Sequence, residues 1–227
     1  MNNRVVETHD LFKQYRMGKT TVEAIRGVSL AVARGEFFAI AGPSGSGKTT
    51  LLNLIGCLDT PSSGEIEIDG EAVGQLSSGA RADLRARKIG FIFQTFNLIP
   101  VLTAYENVEY PLFLGRRTGD RRSQVETALA QVGLADRARH RPTELSGGQQ
   151  QRVAVARALV TDPSIVLADE PTANLDSKTG HEIIELMHRL NRERGTTFIF
   201  STHDPRIMKA ADRVVEISDG QLLTQGV

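Results

Sequence analysis

The sequence is poor in cysteine and in long apolar runs. It has one cysteine in 227 residues, which excludes an internal disulfide framework and a cysteine-rich zinc site and is typical of a reducing compartment. No apolar run approaches the roughly 18 residues that a membrane helix requires, and the run over 37–41 has only the length of a strand. The first residues lack the apolar segment of a signal peptide. We therefore expect a soluble, cytoplasmic chain.

Net charge is also absent, because 27 basic and 27 acidic side chains cancel. A protein that binds nucleic-acid backbones is normally basic, so no nucleic-acid partner is expected, although a local basic patch is still allowed. Internal repeats and low-complexity tracts are missing as well. With 40% hydrophobic and 24% charged residues, the composition is that of one large globular domain, or of one domain that carries an inserted subdomain.

The apolar pattern changes along the chain. The middle, from about Thr95 to Val160, has mostly helical spacing, in which Ser123 is expected to cap a helix that Gly133 ends. Strands are expected over 22–32, 36–41, 65–70, 164–169, 196–201 and 213–217, and helices over 149–160 and 177–194. This alternation predicts an α/β fold: a mostly parallel sheet with helices on both faces, into which the helical block is inserted.

Residues 42–49 match the phosphate-loop motif G-x-x-x-x-G-K-[ST] at every fixed position. They follow an apolar strand and open an apolar helix, so the loop N–H groups can cradle a phosphate at a helix N-terminus. Lys48 is expected at the β- and γ-phosphates and the Thr49 hydroxyl at Mg²⁺. A Gly/Ser-rich turn would match by chance on the order of one per cent of the time. The candidate binding residues are Gly42, Pro43, Ser44, Gly45, Ser46, Gly47, Lys48, Thr49 and Thr50.

Two acidic residues follow another apolar strand. Asp169 and Glu170 come at the carboxyl end of 165–168, and ligands of open α/β sheets bind at that edge. We expect Asp169 to hold Mg²⁺, through water, and Glu170 to act as general base toward the attacking water. Taken alone, such a pair is as often a solvated strand end, but the phosphate loop upstream favours the functional role.

The pentapeptide 145–149, Leu-Ser-Gly-Gly-Gln, opens the second helix of the middle block. Ser146 can cap this helix, and the glycines leave its first N–H groups uncovered, which predicts another anion site. A plain capped helix is the local alternative. Together with the two nucleotide motifs, the pentapeptide resembles the ABC ATPases, the nucleotide-binding subunits of ATP-binding cassette machines. The resemblance covers nearly the whole chain.

This resemblance implies further site residues. Tyr15 lies where these proteins stack an aromatic ring on adenine, with Phe12 as the alternative. Gln94 is expected to touch Mg²⁺ and the attacking water, and His203 the γ-phosphate. The signature residues are Ser146, Gly147, Gly148 and Gln149, and Asp176 ends the loop 174–176 through which two subunits contact each other. The implied catalytic residues are Glu170, His203, Gln94 and Lys48, and the implied Mg²⁺ ligands are Thr49, Gln94 and Asp169.

The resemblance also implies an organisation and partners. It predicts a P-loop NTPase (RecA-like) core with an antiparallel β subdomain over 1–94 and 161–227, and a helical signature subdomain over 95–160. ATP and Mg²⁺ are the expected cofactors. The expected partners are a second copy, across two sandwiched ATP molecules, and a membrane permease that docks near Phe96–Leu102 and holds the chain at the inner face of the cell membrane. The apolar residues there, namely Phe96, Leu98, Ile99, Pro100 and Leu102, could equally pack the helical block's own core.

Finer motifs, such as 53–59, 90–100, 102–108 and 169–176, look like the lipoprotein-release and macrolide-export branch. Most of that branch has Gly where this chain has Ala173. Two alternatives stay open: the motor of a non-transport permease complex that regulates cell division or the cell wall, and an ABC ATPase that acts on DNA or ribosomes. The second class usually carries long coiled coils, zinc modules or two cassettes, none of which this sequence contains.

Overall fold

The computed structural model describes residues 3–18, 20–115 and 119–224. Its strands are β1 (Arg4–Met17), β2 (Thr20–Ala33), β3 (Phe37–Ala41), β4 (Ser63–Ile68), β5 (Glu71–Ala72), β6 (Ile89–Ile92), β7 (Ile165–Asp169), β8 (Thr197–Thr202), β9 (Arg213–Ser218) and β10 (Gln221–Thr224). Its helices are α1 (Lys48–Ile55), α2 (Ser78–Lys88), α3 (Ala104–Leu114), α4 (Arg121–Gln131), α5 (Gly147–Leu159), α6 (Ser177–Arg194) and α7 (Pro205–Ala210), with 3₁₀ turns at Val73–Gln75, Ala135–Arg137 and Pro142–Glu144.

The described strands form two sheets. The larger has the order β10-β9-β3-β8-β7-β6, and every neighbouring pair in it is parallel except β10 with β9. The smaller, β2-β1-β4-β5, is antiparallel throughout. The predicted fold class, an α/β core with a mostly parallel sheet and an antiparallel β subdomain, is confirmed.

The parallel sheet is buried on both faces, which explains its continuous apolar strands. Successive residues of a strand point to opposite faces. Phe37 and Ala39 accordingly pack in one apolar cluster with α3, α4, α5 and α6. Phe38 and Ile40 pack in a second cluster, with α1 and the antiparallel sheet. The sheet is thus fixed between two layers, and its strand ends have little freedom to shift.

The helical block lies between β6 and β7 and contains α3, α4 and α5. The expectation that Ser123 caps α4 is wrong. The cap is Asp120, whose carboxylate accepts the backbone N–H of Ser123 at 3.2 Å. Asp120 comes three residues earlier and so meets the N–H groups that the first turn leaves unpaired. The division of the chain into subdomains at residues 95 and 160 stays a prediction.

Two helices, α2 and α7, were not predicted from the sequence. The helix α2 buries one residue completely, Leu84, so it has almost no apolar stripe to detect. The helix α7 has six residues, and its cap, Asp204, stands directly before Pro205, a pair that reads as a turn. Within the described ranges, none of the helices has both the length and the hydropathy of a membrane span.

One carboxylate joins the antiparallel sheet to the core. Asp69, in the turn after β4, accepts hydrogen bonds from Arg34, which follows β2, and from Lys88, which ends α2. The Ser164 hydroxyl, just before β7, donates to the same carboxylate at 3.2 Å. The bond from Lys88, together with that from Arg34, lowers the pKa of Asp69 to about 2. Asp69 thereby ties four segments together at one point.

We predict that Asp69→Asn lowers the free energy of unfolding by about 1–2 kcal/mol at pH 7. A carboxyl whose pKa is depressed by folding stabilises the protein above its unfolded pKa of about 3.9. That contribution is lost as the pH falls toward 2. The difference between wild type and variant, measured by urea unfolding, should therefore shrink between about pH 4 and pH 2.

The matched control is Asp162→Asn, since Asp162 is exposed and, like Asp69, has a positive φ, 49° against 52°. It should change stability little at either pH. An equal loss of stability in both variants would contradict this role of Asp69.

Candidate active site

The phosphate loop leads from β3 into α1 and closes around its own lysine. Gly47, at the start of α1, has φ 106°, and a Cβ there would lie 2.6 Å from the Ala24 carbonyl oxygen. The Lys48 side chain is buried, and its Nζ donates to the carbonyls of Gly42 and Pro43, both at 2.8 Å. The loop is therefore a tight ring of backbone with a cation at its centre.

A cavity of about 540 Å³ opens over this loop. It brings together Ser44, Gly45, Gly47, Lys48, Thr49, Thr50, Gln94, Glu170 and His203, all of which the sequence predicted as site residues. Its other lining residues are Val22, Glu23, Ala24, Arg26, Asp219 and Gly220. Residues from six separate parts of the chain thus converge on one space.

Two oxygen groups, one from the first turn of α1 and one from the end of β7, meet next to Lys48. The Thr49 hydroxyl donates to Asp169 Oδ1 at 3.1 Å, and the Ser201 hydroxyl donates to the same oxygen at 2.5 Å. Mg²⁺ at nucleotide sites prefers one or two protein oxygens and fills its remaining positions with phosphate and water. Thr49 and Asp169 fit that requirement. Gln94, two residues after the end of β6, lines the cavity as well.

Glu170 and His203, which the sequence assigned to separate roles, contact each other. One carboxylate oxygen, Oε1 of Glu170, lies 2.8 Å from Nδ1 of His203. The Glu170 side chain is largely buried, whereas the His203 side chain is 71% exposed. Glu170 also has φ 45°, an uncommon backbone conformation for a residue with a side chain. Both groups stand at the rim of the cavity, beside the phosphate loop.

Tyr15 lies near the phosphate loop but does not line this cavity. Its hydroxyl donates to Asp59 Oδ2 at 2.7 Å, and Lys13 Nζ lies 4.8 Å from the centre of its ring. Burial, and then the hydrogen bond to Asp59, raises the pKa of Tyr15. The ring of Phe12, the alternative residue, lies against Gly27 instead. Which of them stacks on a base stays a prediction, and Tyr15 is already oriented by two partners.

The signature residues form the N-terminus of α5, away from this cavity. Ser146 is the cap: its Oγ accepts the Gln149 N–H at 3.3 Å, and Gln149 Oε1 accepts the Ser146 N–H at 2.9 Å. Neither residue lines the cavity, and nor do Gly147, Gly148 or Asp176. Asp176 caps α6, accepting the N–H groups of Lys178 and Thr179 at 3.0 Å each. A hydrogen bond with the Thr179 side chain, together with the backbone N–H bonds of Thr179 and Lys178, lowers the pKa of Asp176.

The turn between β9 and β10 was not predicted as part of the site. Its central residues, Asp219 and Gly220, have φ 46° and 78°. The Gly220 N–H donates to the Ser46 carbonyl at 2.9 Å, and the Gly220 carbonyl accepts the Arg26 N–H at 2.8 Å. The turn therefore braces the phosphate loop against β2. An Asp-Gly pair between two apolar strands signals such a hairpin in sequence, although it does not say what the hairpin touches.

The residues expected to form an apolar patch over Phe96–Leu102 do not form one continuous surface. Leu98 packs partly against the core, and the buried Asn107 holds the loop by bonds to Ile99 and Leu102. A separate apolar groove of about 440 Å³ lies between α2, α3 and the end of α5. Its residues include Leu58, Asp83, Arg85, Phe91, Phe93, Pro111, Leu114 and Arg157, and of the expected patch it includes Asn97 alone among the described residues.

Arg157 forms one wall of this groove. Its guanidinium donates to the carbonyls of Phe96 and Asn97, whose φ values of 61° and 49° are left-handed. Burial lowers the pKa of Arg157 to about 10. The segment after Gln94 is therefore bound directly to the end of α5.

Comparison with known proteins gives consistent matches. The family model described as ABC transporter matches residues 25–173. An ABC transporter ATP-binding protein of Thermotoga maritima is 50% identical over 96% of this chain and 94% of its own length. The macrolide export ATP-binding/permease protein MacB of Syntrophobacter fumaroxidans is 49% identical over 95% of this chain, which spans 31% of that longer protein.

Solved structures of ATP-binding cassettes are also similar to this chain. The ATP-binding cassette MJ0796, in a dimeric post-hydrolysis state bound to ADP and Pi, is 46% identical, with TM-score 0.89 over 96% of this chain and 97% of its own. The cbiO1 protein of Clostridium perfringens, part of the transporter complex cbiONQ, is 31% identical, with TM-score 0.88 over 99% of this chain and 89% of its own.

The two signature glycines should differ in their tolerance of a side chain. A Cβ at Gly148 would lie 2.4 Å from Thr179 Cγ2, whereas a Cβ at Gly147 would meet nothing closer than Leu175 at 3.6 Å. We predict that Gly148→Ala destabilises the fold by about 1–3 kcal/mol through overpacking. Gly147→Ala should be close to neutral in stability, as measured by chemical unfolding.

Thr179→Ser removes the Cγ2 atom and should restore most of the stability of Gly148→Ala when the two are combined. If the double variant is no more stable than Gly148→Ala alone, the contact between α5 and α6 is not the cause.

Proposed function

This chain belongs to the ABC transporter family of ATP-binding proteins, and from this premise we propose that it binds and hydrolyses ATP to drive a membrane permease. The observation that carries the proposal is the convergence of Lys48, Thr49, Glu170 and His203 at one cavity, with Asp169 hydrogen-bonded to Thr49 beside it. A phosphate cradle, a pair of oxygen ligands and a carboxylate base are the groups that phosphoryl transfer to water requires.

The residues divide the chemistry among themselves. Lys48 and the loop N–H groups hold the β- and γ-phosphates of ATP, and Tyr15 stacks on adenine. Thr49 and Asp169, with Gln94, are the ligands for Mg²⁺, which would neutralise phosphate charge when bound. Glu170 takes the proton of the attacking water. His203 contacts the γ-phosphate and, through Nδ1, keeps the Glu170 carboxylate at the cavity.

One chain leaves this site open on the side that faces solvent. The signature N-terminus of α5 offers free N–H groups but lies away from its own cavity, so it suits the ATP of another copy. The dimeric form of the similar cassette MJ0796 supports this arrangement. ATP carries the γ-phosphate that bridges the two chains and ADP lacks it. Closure therefore follows ATP binding, and hydrolysis reopens the dimer. We propose two identical copies, with Asp176 of each facing the other.

We place the chain in the lipoprotein-release and macrolide-export branch. The similarity to MacB, 49% over nearly the whole chain, supports this placement together with the motifs over 53–59 and 90–100. The permease would dock in the groove between α2, α3 and α5 rather than on Leu98 and Ile99. That groove is apolar, and Arg157 connects it to the segment after Gln94. The chain would thereby sit at the inner face of the membrane.

We predict that Glu170→Gln lowers kcat for ATP hydrolysis at least a hundredfold, because a positioned general base contributes about that much or more. ATP binding should persist, so the variant should accumulate as an ATP-stabilised dimer in light scattering. The control Glu185→Gln changes an exposed carboxylate of α6 and should hydrolyse ATP normally.

A companion variant separates binding from hydrolysis. Lys48→Ala should weaken ATP binding itself, measured by calorimetry, and should form no ATP-dependent dimer. Wild-type hydrolysis by Glu170→Gln would refute the base assignment, and unchanged affinity in Lys48→Ala would refute the phosphate-loop assignment.

We also predict that Leu114→Asp prevents docking of the permease. Leu114 is 63% exposed at the groove, and a carboxylate there would have to lose its hydration when an apolar partner docks. Glu170→Gln with ATP, used as bait on detergent-solubilised membranes, should capture a protein with four membrane helices and a large external domain. Adding Leu114→Asp to this bait should abolish the capture. Leu114→Asp made alone, with Glu170 intact, should keep ATPase activity within twofold of the wild type.

The matched control is Leu223→Asp, because Leu223 is 62% exposed on β10 and does not line the groove. Equal capture by both variants would exclude the groove as the docking site. Capture of a DNA-repair or translation factor would favour the soluble alternative.

A further inference from the structure

Gln151 is a buried polar side chain that stability alone does not explain. It is completely buried in α5, and its Nε2 donates to the Pro171 carbonyl at 2.6 Å. Its Oε1 is also buried and has no hydrogen-bond partner among the described residues. A buried polar atom without a partner is destabilising, so an apolar side chain of the same size would suit this position better. The bond to Pro171 is what the glutamine adds.

That bond acts on the residue beside the proposed base. Glu170 has φ 45° and needs its surroundings to keep this conformation. Its N–H donates to the Ser201 carbonyl at 2.9 Å, and its carbonyl accepts the Ala173 N–H at 3.2 Å. Pro171 has no N–H, so its carbonyl is its one backbone hydrogen-bonding group. Gln151 holds that group and thereby fixes the chain directly after Glu170.

Other bonds to the segment 170–176 come from around the same cavity. Asn174 Nδ2 donates to the Gln94 carbonyl at 2.9 Å, and the Thr172 hydroxyl donates to Asp204 at 2.8 Å. Among the described residues, the bond from Gln151 is the one hydrogen bond that joins this segment to α5. It links Pro171, directly after Glu170, to a helix whose N-terminus does not line the cavity.

The tip of α5 and the hydrogen bond from Gln151 to Pro171 lie close together along the helix. Ser146, at its tip, precedes Gln151 by five residues, a rise of about 7.5 Å at 1.5 Å per residue. An α-helix this short moves as a rigid body, so a shift at the tip is transmitted to Gln151. Under the proposed function, the tip contacts the ATP that is held by the other copy.

We propose that Gln151 is a positioning residue that couples the two ATP sites of the dimer. When the tip of α5 engages the nucleotide on the partner, Gln151 sets the backbone of Glu170 for hydrolysis of the chain's own ATP. Each chain then contacts the nucleotide on its partner through the tip of α5 and hydrolyses the ATP in its own cavity. This inference rests on the proposed function, because it needs the ATP-bridged dimer.

The test replaces the amide without changing the size of the side chain. Gln151→Met removes the donor and keeps an unbranched chain of similar length. The expected result is a kcat at least tenfold lower, together with a Hill coefficient for ATP that falls from above 1 toward 1. ATP affinity of the monomer, measured at low protein concentration, should stay within twofold.

The matched control is Gln150→Met, one residue earlier in the same helix. Gln150 Nε2 bonds the Leu145 carbonyl, at 3.1 Å, within its own segment. This variant should keep the wild-type kcat and Hill coefficient within twofold. If Gln151→Met does not fold, Gln151→Asn replaces it in the test. Its amide reaches less far, and the same two quantities, kcat and the Hill coefficient, are measured.

The outcomes separate this inference from the proposed function. A wild-type protein that does not hydrolyse ATP refutes the proposed function. A wild type that hydrolyses ATP with a Hill coefficient of 1 refutes the coupling alone. A folded Gln151 variant with unchanged kcat, or with lower kcat and an unchanged Hill coefficient, also refutes the coupling.

Discussion

The Thr49 hydroxyl and the Asp169 carboxylate lie 3.1 Å apart although 120 residues separate them in the chain. Their contact depends on the register of three parallel strands. Ala41 of β3 pairs with Thr202 of β8, and Asp169 of β7 pairs with Ser201. Each strand therefore ends at the same level, and whatever follows it is delivered to one edge. For this reason the phosphate loop, Glu170 and His203 line one cavity, and Asp169 contacts Thr49 beside it.

Burial on both faces makes that edge rigid. Alternate residues of β3 enter two different apolar clusters, so a shift of one residue would exchange the two sets of side chains. Close-packed interiors resist such shifts. The strained backbone of Glu170, with φ 45°, can persist because the strands beside it cannot relax.

The helix α5 connects the parts that the parallel sheet does not bring together. Its tip carries the signature residues, its middle bonds Pro171 and its last turn bonds the segment after Gln94. One rigid element thus contacts the proposed interface with a second copy, the segment of the proposed base and the wall of the apolar groove. Under the proposed function, this helix would link the nucleotide state with both proposed partners.

The sequence by itself determined the fold class, the phosphate loop, the acidic pair and the helix that Ser146 caps, because each of these is written in contiguous residues whose spacing reflects local geometry. Only the tertiary structure decided that Glu170 contacts His203, that the Asp219–Gly220 turn braces the phosphate loop, and that the apolar groove includes Leu58 and Leu114 rather than Leu98. These contacts join segments far apart in the chain. Which distant surfaces meet depends on how helices pack against the sheet, and no local pattern of residues carries that information.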